Sequence, residues 1–400
     1  MISENNSSSF RVNNSQNLVI TNQLSISGQK NSIQKIKTEI ENNYIQEPLE
    51  KYESQVIPLE KKLFENLNLE WGEDIISENI PLIEDKNYYY HLVRTAKLDY
   101  DKDNFFLIHG FISSGMHFIS ILPYLIKHYN VFIPDTIGMG LSARPQVEFS
   151  SPIDCEEYFL RIYHVIIESI FFENKFNIKK EYFLCGHSLG GFFASRYMLK
   201  YPKGIKKVLL LSPCGITDYH IKNTDMDPES NICISCCKIT IPSLFWPCKL
   251  KVQNCYHCCC FHNIVKRAYG KYNFNIDEEE IKKNKDGSGF KVDKKKVADI
   301  LEKLAILSLD YPNDIYECIY YIFAMPPPAV LLPIEVKLMN TNNKQIIFVF
   351  GKDDFMDKTG AYRLSKFNPD KYKYFTLREG GHSFALENPK ELKYIIGQFF

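Results

Sequence analysis

Short apolar runs alternate with segments of helical spacing over two stretches of the chain, about 100–215 and 345–400. The apolar runs are rich in aromatic and β-branched residues, which is typical of buried strands. Strands separated by helical segments predict a parallel sheet with crossover helices. The expected strands are 88–94, 104–108, 131–134, 182–185, 206–212, 345–351 and 372–377. The expected helices are 117–128, 155–172, one that ends at 201–202, 359–366 and 389–400.

The regular alternation stops between the two stretches. Residues 216–343 contain a cysteine-rich part, a charged part and an apolar, proline-bearing end. A segment this long between sheet strands is uncommon as a plain loop. We therefore expect a cap or lid domain over 216–343, inserted into a core built from 56–215 and 344–400. Its aromatic residues either line a pocket for an acyl chain or form the cap's own core.

The first part of the chain has a different composition. Residues 1–55 are rich in Asn, Ser, Gln and Lys with little periodicity, so we expect a disordered polar tail. An amphipathic helix is expected at 59–69.

Composition narrows the function classes. The 48 basic and 48 acidic side chains balance, so the charge gives no reason to expect a nucleic-acid partner. Residues 1–10 lack the basic and apolar regions of a signal peptide, and no uninterrupted apolar run is long enough to cross a bilayer. The twelve cysteines then indicate reduced thiols, and the sequence predicts a cytoplasmic protein.

The candidate nucleophile is Ser188, in the motif G-H-S-L-G at 186–190. A strand precedes the motif and a helix follows it. Strand, G-x-S-x-G and helix together form the nucleophile elbow of an α/β-hydrolase, in which small residues on both sides allow a tight turn. The amide of Leu189 is then aimed at a developing oxyanion.

Partners for this serine occur further along the chain in the order that an α/β-hydrolase uses, Ser, Asp, His. The expected acid is Asp354, which follows the strand 345–351, with Asp357 as the alternate. The expected base is His382, which follows the last strand and has glycines before it. A serine hydroxyl needs such a base, and the base needs a carboxylate to hold its tautomer. This chemistry requires no cofactor.

Two loops near the predicted pocket add further candidates. His109-Gly110-Phe111 follows a strand, and the amide of Phe111 is the expected second oxyanion donor, an ordinary strand-to-loop turn being the alternative. Arg144 ends a glycine-containing loop at 135–145. It is a candidate to bind a lipid phosphate, and the alternative is that it braces its own loop.

Eight of the twelve cysteines fall between Cys233 and Cys260. Cys233, Cys236, Cys255 and Cys258 have a C-x2-C … C-x2-C spacing compatible with a tetrahedral zinc site. A second interpretation is S-acylation of the cluster, which would anchor the cap to a membrane. The third is compositional drift in a tolerant insertion.

Several motifs resemble one subfamily of α/β-hydrolases. The matching motifs are H-G-F at 109–111, D-T-I-G-M-G-L-S-A-R-P at 135–145, G-H-S-L-G-G-F-F-A-S-R-Y-M-L-K-Y-P at 186–202, G-K-D-D-F-M-D at 351–357 and G-G-H-S-F-A-L-E-N-P at 380–389. The chain is similar in these to intracellular lipid-acting hydrolases: N-acyl-phospholipid lipases, cardiolipin deacylases, and relatives described as lysophosphatidic-acid acyltransferases or lipase coactivators. The tail and most of the cap match poorly.

The resemblance implies a serine hydrolase that cleaves fatty acyl esters of phospholipids or lysophospholipids. It also implies peripheral association with an intracellular membrane or a lipid droplet. The alternatives are a lysophosphatidic-acid acyltransferase that uses acyl-CoA and a non-enzymatic lipase coactivator. Members linked to acyl transfer carry H-x4-D, which is altered here to His382 and Glu387, whereas some coactivators lack the serine that this chain has.

Overall fold

The structure is a computed structural model that describes residues 49–400, apart from 83–87, 146, 148, 174–175, 218–273, 311–332 and 342. Its centre is an eight-stranded sheet of order β1-β2-β4-β3-β5-β6-β7-β8. The strands are β1 (Ile75–Pro81), β2 (Tyr89–Thr95), β3 (Asp103–Ile108), β4 (Tyr129–Pro134), β5 (Tyr182–His187), β6 (Ile205–Leu211), β7 (Gln345–Phe350) and β8 (Tyr372–Thr376). β2 is antiparallel to both neighbours, and all pairs from β4 to β8 are parallel.

Helices connect and cover these strands. The described α-helices are α1 (Leu49–Glu65), α2 (Leu122–His128), α3 (Pro152–Ile167), α4 (Leu189–Lys200), α5 (Lys294–Asp310), α6 (Ile334–Thr341), α7 (Thr359–Phe367), α8 (Phe384–Glu387) and α9 (Pro389–Phe399). Short 3-10 turns lie at Gly115–Phe118 and Glu278–Glu280, and a π-helical turn at Glu168–Phe172 continues α3.

The strand side chains alternate between two buried layers, because successive side chains of a strand point to opposite faces. On one face, Phe105 and Leu107 of β3 join a core cluster with residues of α1, α2, α5 and α9. On the other face, the Phe106 ring packs edge-on against Phe171, at the end of α3. The expected mostly parallel sheet between two helical layers is thus confirmed.

The start of the core differs from the expectation. α1 begins at Leu49, so residues 49–55 are helical and do not belong to a tail, while 1–48 lie outside the described residues. Pro58 lies inside this helix and obscured its N-terminal half in the sequence, because an interior proline removes a backbone hydrogen bond. Glu53, in this half of the helix, accepts hydrogen bonds from Asn79 Nδ2 (2.7 Å) and the Tyr89 hydroxyl (3.1 Å), which join α1 to β1 and β2.

Strand β1 was not expected from the pattern. Its sequence I-I-S-E-N-I-P is polar at its centre, and it lies at the edge of the sheet, paired with β2. An edge strand whose central residues are only partly buried lacks the continuous apolar run that reveals a buried one.

Part of the expected cap is described. α5 packs against α1, and Phe274, Val297 and Leu301 belong to the core cluster on that face. α6 packs on the other side, where buried Glu335 forms an ion pair with Arg363 of α7 (2.6 Å). Residues 218–273 and 311–332 of the predicted insertion lie outside the described residues, so the cap domain stays a prediction.

Within the described part of the chain, no helix has both the length and the apolar character needed to cross a bilayer.

Candidate active site

Ser188 occupies a strained turn between β5 and α4. Its φ and ψ are 54° and −117°, a combination that L-residues rarely adopt and that costs about 1–3 kcal/mol. The flanking glycines make the turn possible. A Cβ on Gly186 would lie 2.3 Å from the carbonyl oxygen of Gly190, and one on Gly190 would lie 2.3 Å from that of Ile108. The glycines of the motif are therefore required because no side chain fits at these positions.

The candidate base and acid are in direct contact. His382 Nδ1 lies 3.0 Å from Asp354 Oδ1. Because a carboxylate only accepts, Nδ1 carries the proton, and the lone pair on Nε2 remains available to accept one. The Asp354 side chain is fully buried, whereas that of His382 is 19% exposed, so the base is the member of the pair that is open to solvent.

Two further donors fix the Asp354 carboxylate. The hydroxyl of Ser212 donates to Oδ2, and the Met356 amide donates to Oδ1 at 3.0 Å. Ser212 is fully buried at the end of β6 and has a positive φ of 44°. No sequence pattern predicted a role for Ser212. Its position could have indicated one, since β5 and β6 are parallel neighbours whose carboxyl ends share one edge of the sheet.

The other acidic candidates lie elsewhere. Asp357 accepts from the Thr359 amide (2.9 Å) at the start of α7, and Asp353 is exposed. Of the three, Asp354 is the one whose carboxylate contacts His382 in the described part of the chain.

The serine and the base are adjacent through their chain neighbours. His187, which precedes Ser188, is hydrogen-bonded through Nε2 to the backbone carbonyl of His382 (2.8 Å). Among the described residues, no hydrogen bond joins the Ser188 hydroxyl itself to the His382 ring. Such contacts are often long in unliganded enzymes and tighten when substrate binds.

The loop after β3 lies beside the elbow. A Cβ on Gly110 would be 3.1 Å from Ser188 Cβ, so Phe111 follows a point of close backbone approach. Leu189 is the first residue of α4, where amide groups have no acceptor within the helix. The roles of the Phe111 and Leu189 amides in an oxyanion hole stay predictions.

Two buried side chains hold this loop in place. Asp135 accepts from the amides of Gly115 (2.6 Å) and Leu141 (2.8 Å), and so joins the loop after β3 to the loop after β4. His109 Nε2 accepts from the Thr136 amide (2.9 Å), which leaves the proton on Nδ1 to donate to the Gly110 carbonyl (2.8 Å). Burial lowers the pKa of His109, which favours this neutral form.

Arg144 is 8% exposed and points into its own loop. Its guanidinium donates to the carbonyls of Gly140 (2.8 Å) and Ser142 (3.0 Å). These contacts are those of a brace, the alternative that the sequence left open. Binding of a lipid phosphate by Arg144 stays a prediction.

A narrow cleft of about 20 Å³, room for about one water molecule, lies between α1, α5 and the loop after β3. His117 is on its wall, and the His117 ring stacks on His187 with centroids 4.0 Å apart. The apolar part of the wall consists of Val56, Met116, Leu141, Leu301, Leu304, Ala305 and Leu386.

Cys233, Cys236, Cys255 and Cys258 lie outside the described residues, so the zinc and acylation interpretations stay hypotheses. The three described cysteines, Cys155, Cys185 and Cys214, are buried and form no disulfide with one another.

Comparison with known proteins identifies the architecture. The alpha/beta hydrolase fold family matches residues 103–230 by sequence. Carboxylesterase CesB (YbfK) from Bacillus subtilis superposes with a TM-score of 0.54 at 13% identity, over 87% of this chain and 98% of that one. This chain has the α/β-hydrolase fold. A second α/β-hydrolase of the same organism, naproxen esterase, gives a TM-score of 0.53 at 14% identity, over 87% and 98% of the two chains.

The sequence relatives of this chain include proteins that are named for lipids, as the motifs led us to expect. Protein ECM18 of Saccharomyces cerevisiae is 22% identical over 93% of this chain and 85% of its own length. A 1-acylglycerol-3-phosphate O-acyltransferase of Arabidopsis thaliana is 28% identical over 28% of this chain and 25% of its own. A (lyso)-N-acylphosphatidylethanolamine lipase of Bos taurus is 30% identical over 29% and 31%. The chain thus spans less than a third of the length of the latter two.

Proposed function

We propose that this α/β-hydrolase is a serine esterase that cleaves a fatty acyl ester of a phospholipid or lysophospholipid. The observation that carries the proposal is the His382–Asp354 pair, hydrogen-bonded at 3.0 Å at the sheet edge where Ser188 occupies its strained turn. A nucleophile, a base and an acid that orients the base are the parts that acyl transfer through a covalent intermediate requires.

In the proposed reaction, Ser188 Oγ attacks the acyl carbonyl while His382 Nε2 takes the hydroxyl proton. Asp354 stabilises the imidazolium, and the amides of Phe111 and Leu189 hold the oxyanion. Collapse of the tetrahedral intermediate breaks the ester bond, and His382 gives its proton to the departing alcohol. Water then attacks the acyl-serine by the same steps in reverse and releases the fatty acid.

A lipid substrate is supported by the relatives from Bos taurus and Arabidopsis thaliana, whose names refer to lipid acyl groups. We propose that the protein is cytoplasmic and acts at the surface of an intracellular membrane or lipid droplet.

A screen of purified lipid classes tests the proposal. We expect release of free fatty acid from a phospholipid or lysophospholipid, abolished in Ser188→Ala while the variant keeps its circular dichroism spectrum and melting temperature. Unchanged turnover by folded Ser188→Ala would contradict the assignment.

Acyl transfer is the second candidate, favoured by the acyltransferase named among the relatives. It would use the same acyl-serine and replace water with the hydroxyl of lysophosphatidic acid, with acyl-CoA as donor. Incubation with both compounds separates the two reactions: we expect free fatty acid, released from lysophosphatidic acid, and phosphatidic acid as the main product would reverse the order of the candidates.

A further inference from the structure

The backbone around His382 is held from two sides by side chains outside the predicted triad. Glu387 Oε2 accepts a hydrogen bond from the Gly381 amide at 2.6 Å. His187 is bonded through Nε2 to the carbonyl of His382 at 2.8 Å. The Gly381 amide belongs to the peptide group before Gly381, and the His382 carbonyl belongs to the peptide group after His382. The two contacts therefore hold the backbone on both sides of the segment Gly381–His382.

His187 has a defined chemical state in this arrangement. A carbonyl oxygen can only accept, so Nε2 carries the proton. Nδ1 is buried without a hydrogen-bond partner among the described residues. Burial, together with the nearby His117 and His382, lowers the pKa of His187 well below its usual value, so the ring stays neutral.

Ring packing holds His187 in this orientation. Its ring stacks on His117 with centroids 4.0 Å apart and an interplanar angle of 21°. On the other side it lies 4.8 Å from the ring of His382. Because His187 directly precedes Ser188, its hydrogen bond joins the nucleophile turn to the base loop.

Glu387 holds the other side of the loop. It is the last residue of α8, and its carboxylate reaches back toward the glycines that precede His382. Gly380 has a φ of 107°, and a Cβ there would lie 2.8 Å from Phe384 Cβ, so the loop is a tight turn against this helix. The carboxylate is thus engaged with the backbone of the chain itself.

We propose that His187 and Glu387 are positioning residues that clamp the backbone of His382. The proposal rests on the serine esterase function proposed above. Asp354 orients the imidazole through its side chain. The backbone of the loop that carries the ring is held by the Gly380 carbonyl, which accepts from the Asp353 amide (3.1 Å), and by the contacts of Glu387 and His187 on either side of His382. A displacement of about 1 Å at a catalytic group can cost about a hundredfold in rate. Glu387, the altered position of the H-x4-D motif, then serves hydrolysis and acyl transfer alike.

The test compares matched pairs of variants. His187→Phe keeps an aromatic ring without a donor, whereas His187→Gln places an amide donor near the position of Nε2. Glu387→Leu removes the acceptor, and Glu387→Gln keeps one. We expect kcat for acyl ester hydrolysis to fall at least tenfold in His187→Phe and Glu387→Leu with KM within twofold of wild type. The two Gln variants should recover at least a third of the wild-type kcat.

Several results would overturn the proposal. Wild-type kcat in His187→Phe or Glu387→Leu would show that the respective contact positions nothing. Equal losses in the Phe and Gln variants of residue 187 would show that the donor is irrelevant. Selective loss of phosphatidic acid formation in Glu387→Gln, with hydrolysis intact, would make Glu387 a group specific to acyl transfer.

Folding and function are controlled separately. If His187→Phe melts early, the comparison moves to His187→Gln against His187→Asn, which carries the same amide on a shorter side chain and should lack the recovery. Failure of the proposed function is distinguishable from failure of the clamp, because the former requires that wild type and Ser188→Ala behave alike.

Discussion

The nucleophile side and the base side of the site are built in different ways. Ser188 is held by its own backbone, in a turn with a φ of 54° that close packing between β3, β5 and α4 leaves no room to relax. His382 is held by side chains that come from three other places in the chain: Asp354, His187 and Glu387. The first arrangement is steric and local. The second is a set of side-chain hydrogen bonds, two of which join residues that are far apart in the sequence. We therefore expect the two sides to respond differently to mutation.

Removing the charge of the acid tests the base side most severely. Asp354→Asn keeps the shape of the side chain but offers His382 the wrong hydrogen-bond partner, and we expect kcat to fall about 10⁴-fold. The control is Asp357→Asn, the same chemical change three residues away. It should keep near wild-type kcat, because the amide oxygen of Asn can still accept from the Thr359 amide. The assay is steady-state ester hydrolysis; a greater loss in Asp357→Asn would exchange the roles of the two residues.

Adding a methyl group tests the nucleophile side. Gly190→Ala places a Cβ 2.3 Å from the Ile108 carbonyl and 2.4 Å from that of His109, both backbone atoms that cannot move aside cheaply. We expect the free energy of unfolding to fall by about 3 kcal/mol or more. Gly289→Ala, which meets no atom within 4 Å, should change it by less than about 0.5 kcal/mol. Urea denaturation measures both; equal midpoints would mean that the elbow is not tightly packed.

Removing the hydrogen bond from Ser212 to Asp354 should lower kcat by an intermediate amount. Ser212→Ala removes the hydroxyl that donates to Asp354 while leaving a Cβ residue at the same positive φ. A hydrogen bond to a charged group contributes about 1.5–3 kcal/mol, so we expect a ten- to hundredfold loss of kcat. Ser195→Ala is the matched control, because this buried hydroxyl donates within α4 to the Phe192 carbonyl (2.8 Å). Similar rates for the two variants would show that Ser212 does not support the acid.

His117, whose ring stacks on His187 between the two sides, gives the smallest expected effect, a change in how stability depends on pH. Burial lowers the pKa of His117 to about 3, so as pH falls below about 6.5 the unfolded state binds a proton that the folded state does not. Stability therefore decreases with falling pH between these values. His117→Phe keeps a ring in the stack and should remove about 2 kcal/mol of the stability lost between pH 7 and pH 5. Urea denaturation at both pH values measures this; an unchanged loss would mean that His117 does not titrate as expected.

The same contrast explains what could be predicted from the sequence. The sheet, the elbow and the order Ser188, Asp354, His382 depend on local patterns: apolar runs, glycines at fixed spacing, and a polar residue just after a strand. The sequence left Asp357 as an alternative acid, and the contact of Asp354 with His382 now favours Asp354. The donor role of Ser212 and the contacts of His187 and Glu387 were not predictable, because they join residues 142, 195 and 6 positions apart through geometry that no pattern encodes.

The elements at the edges of the core were harder to predict from the sequence for a related reason. β1 and the first half of α1 lack a continuous apolar signal, and Pro58 falls in the middle of the helix. Long-range contacts such as Glu53 with Asn79 hold these elements in place, and a sequence window does not contain them.

The central claim, that Ser188 is an activated nucleophile, is tested most directly by covalent labelling. Purified protein is incubated with a fluorophosphonate, and the modified peptide is identified by mass spectrometry. We predict one phosphonyl group per chain, on Ser188, with labelling slowed strongly in Asp354→Asn and absent in Ser188→Ala. Failure of the folded wild-type protein to react, or reaction at a different residue, would contradict the account.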